Sequence, residues 1–514
     1  MDEFRNHPLL ELRRPEVREE LTGALAALDA ELPLGAPVVI GGRHADAAEE
    51  VTSTDPCRPD RAVARLRWAR QDEAAQALAL ALGAEWPQRP LEERAVTLER
   101  AAELAAERRR RLAAMIVREA GKPWEDADAE VCEAIDFLRF YARTARHLDD
   151  ELLQVPGERN ELRLRSRGPA AVISPWNFPL SIPCGMVAAA LVMGSPVLFK
   201  PAEQSPACGS ALAELLLEAG VEPAALAFLP GDGELGRWLV AEPRVATIAF
   251  TGSVAVGLEI QRRAHAADGQ LQIKRIVAEL GGKNCVLVDS DVDLDEAVPA
   301  IVHSAYGYAG QKCSAAARAL VHEATADRLV ARIAGAVELL RVGPAEDFAT
   351  EVPALIDPEA VAKYGRYAEL CRGAELAKAA APAGAQYVEP LLVDADRLPT
   401  DSPVPREEIF GPLLTVERVR DLDQAAERVR ELPQALTAGI FCRQPDRIES
   451  LIESLPAGLV YVDRAITGAM VARQPFGGSR LSGTGARAGG RTYLRHFADE
   501  QVICTNVVRH GVVL

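Results

Sequence analysis

The sequence predicts an α/β protein built around a doubly wound parallel sheet. From residue 170 onward, short apolar runs such as "AAVIS", "SPVLF" and "VATIAF" alternate with longer helix-like segments such as "SPACGSALAELLLEAG". This alternation is typical of parallel sheets covered by helices, which bind ligands beyond the carboxyl ends of their strands. A chain of 514 residues is also too long for one compact core, so we expect at least two domains.

The elements around this sheet follow from local patterns. Residues 71–150 predict helices, because Leu and Ala recur at helical spacing among charged residues, as in "LEERAVTLERAAELAAE". Residues 151–168 are expected to form an extended pair of strands that leaves the first domain. A second α/β series runs from "NCVLVDSDVDLDEA" to about residue 460. The tail after residue 485 has strand character and no core of its own, so its exposed edge predicts a homo-oligomer, a dimer or higher.

Composition excludes several classes of function. A formal net charge of −17 argues against nucleic acid as a partner, because phosphate binding needs a basic face. No apolar run is long enough to cross a membrane, and "MDEFRNHPLL" lacks the apolar core of a secretory signal. The nine cysteines are scattered and form no CxxC pair, which favours a reducing cytoplasm over a disulfide framework or a zinc site.

Three strand-to-helix turns are candidates for binding a dinucleotide. "GDGELG" at 231–236 is a literal GxGxxG, but a plain glycine-rich turn explains it equally well. In "AFTGSVAVG", Ser253 could cap a helix whose open N–H groups face a phosphate. In "FKPAEQSP", Lys200 and Glu203 could hydrogen-bond a ribose or form a solvated pair. A carboxylate there would repel a 2′-phosphate and so favour NAD over NADP.

Three separate residues have the chemistry for a reaction on a carbonyl group. Cys313, in "YGYAGQKCSAAARALV", is either a nucleophile or one more small residue of a core. Asn177, in "ISPWNFPLSIP", is either an oxyanion donor or a turn asparagine bonded to its own backbone. Glu279 precedes two glycines, a setting that would let a carboxylate move. Together a thiol, an amide and a carboxylate fit thioester chemistry, provided that the fold unites them.

Seven motifs, taken together, resemble the aldehyde dehydrogenase superfamily in order and rough spacing. They are "SPWNFP", "KPAEQSP", "FTGS", "ELGGKN", "GQKCSA", "EEIFGP" and "PFGGSRLSGTG", and the resemblance runs from about residue 50 to the C-terminus. It implies a Rossmann-like NAD-binding domain (1–150 and 169–280), a second α/β catalytic domain (281–484) and a small β oligomerisation flap (151–168 and 485–514).

The resemblance also implies a mechanism. Cys313 attacks an aldehyde to form a thiohemiacetal, whose oxyanion is held by Asn177 and the Cys313 N–H. Hydride transfer to NAD leaves a thioester, and Glu279 activates the water that hydrolyses it. Since a free thiol has a pKa of about 8.5, some local activation of Cys313 is expected. This superfamily holds NAD without GxGxxG, so "GDGELG" is interpreted as a turn. The implied cofactor-binding residues are Lys200, Glu203, Gly252, Ser253, Glu408, Phe410 and Trp176.

Within the superfamily, "GQKCSAAAR" and "DRAITGAMVARQPFGGSRLSGTGARAGG" resemble the branch that oxidises L-glutamate γ-semialdehyde in the second step of proline catabolism. The resemblance is to the form without a fused proline dehydrogenase. Such a substrate carries an α-carboxylate and an α-ammonium, and a pocket must satisfy both charges. Ser314 and the backbone at Gly468 and Ala469, with Lys312 nearby, are implied to bind the carboxylate. Some members have serine where this chain has Ala469, so one side-chain hydroxyl is missing.

The other end of this substrate is implied to meet a helix and two aromatic rings. Glu133, on the "AEVCEAIDF" helix, matches the acid that binds the ammonium, although a solvated helix acid is the alternative. Phe178 and Phe476 would hold the aliphatic chain between them. No metal is expected in this site.

The function implied by the resemblance is therefore NAD-dependent oxidation of L-glutamate γ-semialdehyde to L-glutamate. Another semialdehyde or an amino aldehyde is the alternative substrate. A catalytically silent binding protein on the same fold is disfavoured, because Cys313, Glu279, Asn177 and Glu408 are all present. A cysteine hydrolase would need a histidine as base, and none of the eight histidines lies in these motifs.

Overall fold

The computed structural model describes residues 4–45, 51–148 and 152–508. The N-terminal part is mainly helical, and helices α2 to α5 confirm the periodicity of residues 71–150. Its elements are α1 (Pro15–Asp29), β1 (Leu34–Gly35), β2 (Val39–Ile40), β3 (Arg43–His44), β4 (Val51–Asp55), β5 (Arg58–Leu66), α2 (Gln71–Leu82), α3 (Leu91–Glu107), α4 (Arg109–Ala120), α5 (Trp124–Ala145) and β6 (Glu158–Ser166).

The first large sheet is doubly wound, as the sequence predicts. Most of its strands and the helices that cover them come from one continuous stretch of the chain. This stretch contains β7 (Ala170–Ile173), α6 (Ser181–Val192), β8 (Val197–Lys200), α7 (Pro206–Glu218), β9 (Leu226–Phe228), α8 (Gly233–Ala241), β10 (Thr247–Gly252), α9 (Val254–Ala266) and β11 (Arg275–Leu280). The strand order is β11-β10-β7-β8-β9-β2-β3, and the five strands from β7 to β11 run parallel. Their apolar runs are buried on both faces, which explains why they show no alternation.

This strand order creates a topological switch point between β7 and β10. The chain moves from β7 outward to β8 and β9, then returns to add β10 on the other side of β7. The connections that leave β7 and β10 therefore diverge and open a crevice at the carboxyl ends of these strands. The segments that border this crevice are 174–178 and 251–253.

The second large sheet follows directly. Its region contains β12 (Asn284–Val288), α10 (Leu294–Tyr306), β13 (Ala316–His322), α11 (Glu323–Glu338), α12 (Pro358–Leu370), β14 (Glu375–Lys378), β15 (Leu391–Asp394), β16 (Leu413–Val419), α13 (Leu422–Arg430), β17 (Gln434–Ala435), β18 (Thr437–Phe441), α14 (Pro445–Ser454), β19 (Leu459–Val462), β20 (Ser479–Arg480) and β21 (Ala498–Asn506). The order is β14-β15-β16-β13-β12-β18-β19, parallel except for β14. This confirms the second α/β series.

The prediction for residues 151–168 was wrong in one respect. Residues 152–168 hold one strand, β6, and not a pair of strands. The partner of β6 is β21, the strand predicted in the tail, and the two pair antiparallel over their full length from Ser166↔Ala498 to Glu158↔Asn506. Local pattern could not reveal this pairing, because the two strands lie far apart in the sequence. Most of β21 is exposed, with Val502 at 62%.

A helix that spans a membrane must be both long and apolar. Within residues 4–45, 51–148 and 152–508, none has both the length and the apolar character needed to span a bilayer.

Candidate active site

The loop that carries Cys313 lies between a short 3₁₀ turn, Gly307–Gly310, and strand β13. Tyr308 and Ala309 in this turn have φ angles of 53° and 54°. Left-handed backbone is costly for residues with a Cβ, so the surroundings must hold it in place. On the far side of the loop, Asn284 Nδ2 donates a 2.7 Å hydrogen bond to Cys313 O. The strained turn and this hydrogen bond fix the direction in which the thiol points.

The Cys313 thiol differs from the other cysteines in its surroundings. Seven of the nine cysteines are buried, Cys504 is exposed, and Cys313 is half-buried on a cavity wall. Burial, together with the charges of Glu408 and Glu279, raises the pKa of Cys313 to about 12, against a smaller opposing effect of the Ser314 N–H. The described residues therefore do not supply the activation that the sequence led us to expect, because burial and nearby carboxylates disfavour a thiolate.

Asn177 lies in the loop that follows β7, beside the switch point. Its side chain is buried, and its Nδ2 donates a 3.0 Å hydrogen bond to Gln311 O, in the loop of Cys313. The amide thus bridges two loops and is not bonded to its own turn. Because Nδ2 carries two hydrogens, one remains for an oxygen in the cavity that Asn177 and Cys313 both line.

Glu279 is the penultimate residue of β11, and it lines the same cavity. Gly478 N–H donates a 3.0 Å hydrogen bond to its Oε2, whereas its Oε1 is buried without a partner. Burial raises the pKa of Glu279 well above its ordinary value, and the Gly478 hydrogen bond and the charge of Arg487 only partly oppose this. A buried carboxylate with a free oxygen and a raised pKa is suited to take a proton from water.

These three groups line one cavity of about 380 Å³, a common size for a small-molecule site. Glu408 and Phe410 form another part of its wall. Gly282 N–H donates to Glu408 Oε1 at 3.1 Å, and burial raises the pKa of Glu408. The Phe410 ring meets Trp176 edge to face, with centroids 5.6 Å apart and planes at 87°. The other side of the cavity is apolar and includes Phe476.

A second cavity of about 390 Å³ adjoins the first at the switch point. Trp176, Gly252 and Ser253 line both cavities. Ser253 caps α9 as the sequence predicts, because its Oγ accepts a 3.3 Å hydrogen bond from Val256 N–H. Lys200 Nζ donates to Glu203 Oε1 at 2.9 Å, with the lysine buried and the glutamate exposed. An extended ligand could span the two cavities through this shared region.

The "GDGELG" segment is a strand-to-helix turn, in agreement with its second interpretation. The Asp232 carboxylate accepts hydrogen bonds from Glu234 N–H and Leu235 N–H and so caps α8 itself. Two of the first helical N–H groups are thus occupied by a side chain of the same turn. Gly233 and Gly236 line the second cavity, so the segment contributes space and not a phosphate site.

Other predicted residues do not line these two cavities. These six residues, all in described parts of the chain, are Glu133, Phe178, Lys312, Ser314, Gly468 and Ala469. Lys312 is buried and donates from Nζ to Asp126 Oδ1 at 2.7 Å. Phe178 lies beneath the Lys122 ammonium, 3.4 Å from Nζ to the ring centroid. Both side chains therefore have partners within the protein.

Glu133 lies near the first cavity, and the backbone at Gly468 is open. Phe137, one turn after Glu133 on α5, lines this cavity. Burial raises the pKa of Glu133 to about 7, and the nearby Ser181 hydroxyl opposes this shift. Gly468 has φ of 78° and open space where a side chain would stand, so its backbone is accessible. A cationic group placed at Glu133 would stabilise its carboxylate form.

Sequence reasoning missed four residues of the site. Gly478 supplies the N–H that holds Glu279, and the glycine pair of "PFGG" was a usable signal. Phe137 could have been found from its helical i, i+4 spacing to Glu133. Tyr493 and Lys363 also line the first cavity, and no local pattern distinguishes them.

The fold and this cavity define the class of the protein. The family model described as "Aldehyde dehydrogenase family" matches residues 43–503, and the chain belongs to this family. The family and the fold class predicted from the seven motifs are therefore confirmed.

Individual proteins are similar to this chain over nearly its whole length. Proteins named 1-pyrroline-5-carboxylate dehydrogenase from Geobacillus sp. (strain WCH70) and Bacillus subtilis (strain 168) are 37% and 36% identical, over 96% of this chain and 97% of theirs. A solved structure of 1-pyrroline-5-carboxylate dehydrogenase from Thermus with bound NAD has a TM-score of 0.95 at 36% identity, over 98% of this chain and 99% of that one. Proline utilization A from Bdellovibrio bacteriovorus has a TM-score of 0.96 at 39% identity over 99% of this chain, which spans 54% of that protein.

Proposed function

We propose that this protein oxidises L-glutamate γ-semialdehyde, formed from 1-pyrroline-5-carboxylate, to L-glutamate with NAD, as the second step of proline catabolism. The observation that carries the reaction type is the shared cavity, in which a thiol, an amide donor and a carboxylate of raised pKa meet. The names of the relatives support the choice of substrate.

The roles of the three groups follow from their chemistry. Cys313 loses its thiol proton to solvent as Sγ bonds to the aldehyde carbon, while the free Nδ2 hydrogen of Asn177 and the Cys313 N–H stabilise the negative oxygen that forms. After oxidation the same carbon is a thioester on Sγ. Glu279 then takes a proton from water, the resulting hydroxide attacks the thioester, and L-glutamate leaves as the C–S bond breaks.

The second cavity fits the adenosine half of NAD. The Lys200–Glu203 pair offers a donor and an acceptor to ribose hydroxyls, and the start of α9 after Ser253 offers N–H groups to a phosphate. Glu408 and Phe410, in the first cavity, would hold the nicotinamide half beside Trp176. When bound, NAD supplies the hydride acceptor. The Glu203 carboxylate disfavours a 2′-phosphate and therefore NADP.

The substrate charges would be met at the end of the first cavity. Glu133 would bind the α-ammonium, since burial leaves its carboxylate poorly stabilised without a cation. Ser314 and the open backbone at Gly468 and Ala469, with Lys312 nearby, would receive the α-carboxylate. Phe178 and Phe476 would pack against the aliphatic chain.

The proposal includes the assembly, the domain division and the compartment. The exposed β6–β21 sheet is an edge suited to a second subunit, which supports a homo-oligomer. We assign 1–150 and 169–280 to NAD binding, 281–484 to catalysis, and 151–168 and 485–514 to oligomerisation. Cysteine usage favours a cytoplasmic protein.

The substrate is tested with a matched pair of aldehydes. We expect faster NADH formation with pyrroline-5-carboxylate than with succinate semialdehyde, which has no ammonium. Glu133→Gln should lower kcat/KM for the first substrate roughly 30-fold, about 2 kcal/mol, and leave the second within a factor of two, because only the first presents a cation to Glu133. A clear preference of the unaltered protein for succinate semialdehyde would contradict the proposed substrate.

A second expectation concerns Gly281, against which Glu408 packs. A methyl group at this position would overlap the Glu408 carboxylate. Gly281→Ala should therefore displace Glu408 and raise the KM for NAD about tenfold, a loss typical of one misplaced ligand contact. Gly335→Ala is the control: its methyl would meet nothing within 4 Å, and it lies inside α11, where alanine should raise the free energy of unfolding by up to about 1 kcal/mol. An unchanged KM in Gly281→Ala would refute the packing argument.

A further inference from the structure

Beneath the active site, a buried cluster of charges connects the loop of Asn177 with the loop of Cys313. It contains Lys122, just before α5, Asp126 and Glu130 on α5, and Lys312 on the nucleophile loop. Lys122 and Glu130 are fully buried, Lys312 is buried and Asp126 is half-buried, and the two positive and two negative charges balance. None of the four lines either cavity, so contact with substrate or cofactor does not explain the cluster as a whole.

One arm of this cluster holds the loop of Asn177. Glu130 Oε1 accepts hydrogen bonds from Leu180 N–H at 2.7 Å and Ser181 N–H at 3.2 Å, immediately after that loop. Its Oε2 accepts from Lys122 Nζ at 2.6 Å. Lys122 in turn packs against the ring of Phe178, the neighbour of Asn177. Glu130 thus holds the backbone at the end of this loop, and its ion-pair partner Lys122 holds the Phe178 side chain.

The other arm holds the loop of Cys313. Asp126 Oδ1 accepts from Lys312 Nζ at 2.7 Å, one residue before the nucleophile. The Tyr308 hydroxyl, in the strained turn before this loop, donates to Ala120 O at 2.7 Å, and its ring lies 5.1 Å from Lys122 Nζ. Asp126 and Glu130 are four residues apart on α5, so one face of this helix reaches both loops.

We propose that Asp126 and Glu130 are positioning residues, which together set the distance between the Asn177 amide and the Cys313 sulfur. Those two groups must reach the oxygen and the carbon of one carbonyl, and small displacements of such groups are costly. The contacts of Lys312 and Phe178 with this cluster add a structural role to the places that the proposed function gives them near the substrate. The inference rests on the proposed function only in that its readouts use Cys313 chemistry.

The first test changes Glu130 alone and in combination. Glu130→Gln keeps an acceptor for the backbone N–H groups and removes the charge that pairs with Lys122. We expect kcat for aldehyde oxidation to fall about tenfold, with KM within threefold. In an Asn177→Ala background the same substitution should cost less than twofold, because Glu130 acts through Asn177. An equal fold-loss of kcat in both backgrounds would refute the proposed action of Glu130 through Asn177. A general structural defect would lower kcat by the same factor whether or not Asn177 is present.

The second test uses alkylation of Cys313 by iodoacetamide, a reaction that needs the thiolate and no oxyanion donor. Glu130→Gln should leave its rate and pH dependence unchanged. Asp126→Asn removes the charge that pairs with Lys312, one residue before the thiol, so the loop should shift and the alkylation rate should change by more than twofold across the pH range. An unchanged profile in Asp126→Asn would overturn the second arm.

Controls separate these results from a failure of the proposed function. Glu125→Gln, an exposed neighbour on α5, should match the unaltered protein in every assay. Hydrolysis of p-nitrophenyl acetate without NAD repeats the Glu130 and Asn177 comparison with no dependence on glutamate semialdehyde. The proposed substrate can therefore fail while the cluster still passes, and the reverse also holds. If Glu130→Gln does not fold, Glu130→Asp replaces it, since a shorter carboxylate withdraws from Leu180 and Ser181.

Discussion

Cys313→Ala is expected to abolish NADH formation from aldehydes, with a loss of roughly 10⁴-fold or more, as for other covalent nucleophiles. Without the sulfur no covalent adduct forms, and hydride transfer from a free hydrated aldehyde lacks the tethered geometry. Cys504→Ala is the matched control, because Cys504 is exposed on β21 and outside the cavity. It should retain full activity.

Binding measurements complete this experiment. The affinity of Cys313→Ala for NAD, followed by quenching of intrinsic fluorescence, should remain within about threefold, since the sulfur makes no cofactor contact in the proposal. NADH production that survives in Cys313→Ala would refute the nucleophile. Loss of both NADH production and NAD affinity would indicate a misfolded site, and Cys313→Ser, which keeps the polar shape, then repeats the test.

Glu279→Gln should separate the two halves of the reaction. The thiol remains, so one NADH per active site should appear in a rapid burst, after which turnover falls by about 10²- to 10⁴-fold. Glutamine can still accept the Gly478 hydrogen bond, so the cradle of the residue is preserved. The acylated enzyme should accumulate and be visible as an added mass on the intact protein. Steady turnover at the unaltered rate would contradict the assignment of Glu279 as base.

The pH dependence of kcat follows from the same residue. Because burial raises the pKa of Glu279 well above its ordinary value, the carboxylate form appears only at higher pH. Below that pKa Glu279 is protonated and cannot take a proton from water. The rate of thioester hydrolysis should therefore rise as pH increases through this raised pKa, and the Glu279→Gln variant should lose this rising limb. A limb in the ordinary carboxyl range would contradict the buried environment.

Much of the fold could be predicted from local pattern. Buried parallel strands such as β8 and β10 read as short apolar runs, and the helices between them carry their own periodicity. The position of Ser253 directly before a predicted helix indicated that its side chain caps that helix. The pairing of β6 with β21 could not be predicted, because strand pairing depends on contacts between segments that no local window contains.

The candidate site divides in the same way. Residue types at Cys313, Asn177 and Glu279 indicated carbonyl chemistry, since their reactivity belongs to the side chains themselves. The hydrogen-bond partners and burial of these side chains could not be predicted from the residue types. Glu279 receives its hydrogen bond from Gly478, and Lys312 finds Asp126, across separations of 199 and 186 residues.

By itself, the sequence determined the fold class and the family of this protein and indicated its candidate reacting groups, because periodicity and side-chain chemistry are local properties. Only the tertiary structure decided that the Cys313 pKa is raised and not lowered, and that Lys312 pairs with Asp126 inside the protein. Both results depend on burial and on charges brought close by folding. Electrostatic interaction depends on distance in space, which the order of residues does not contain.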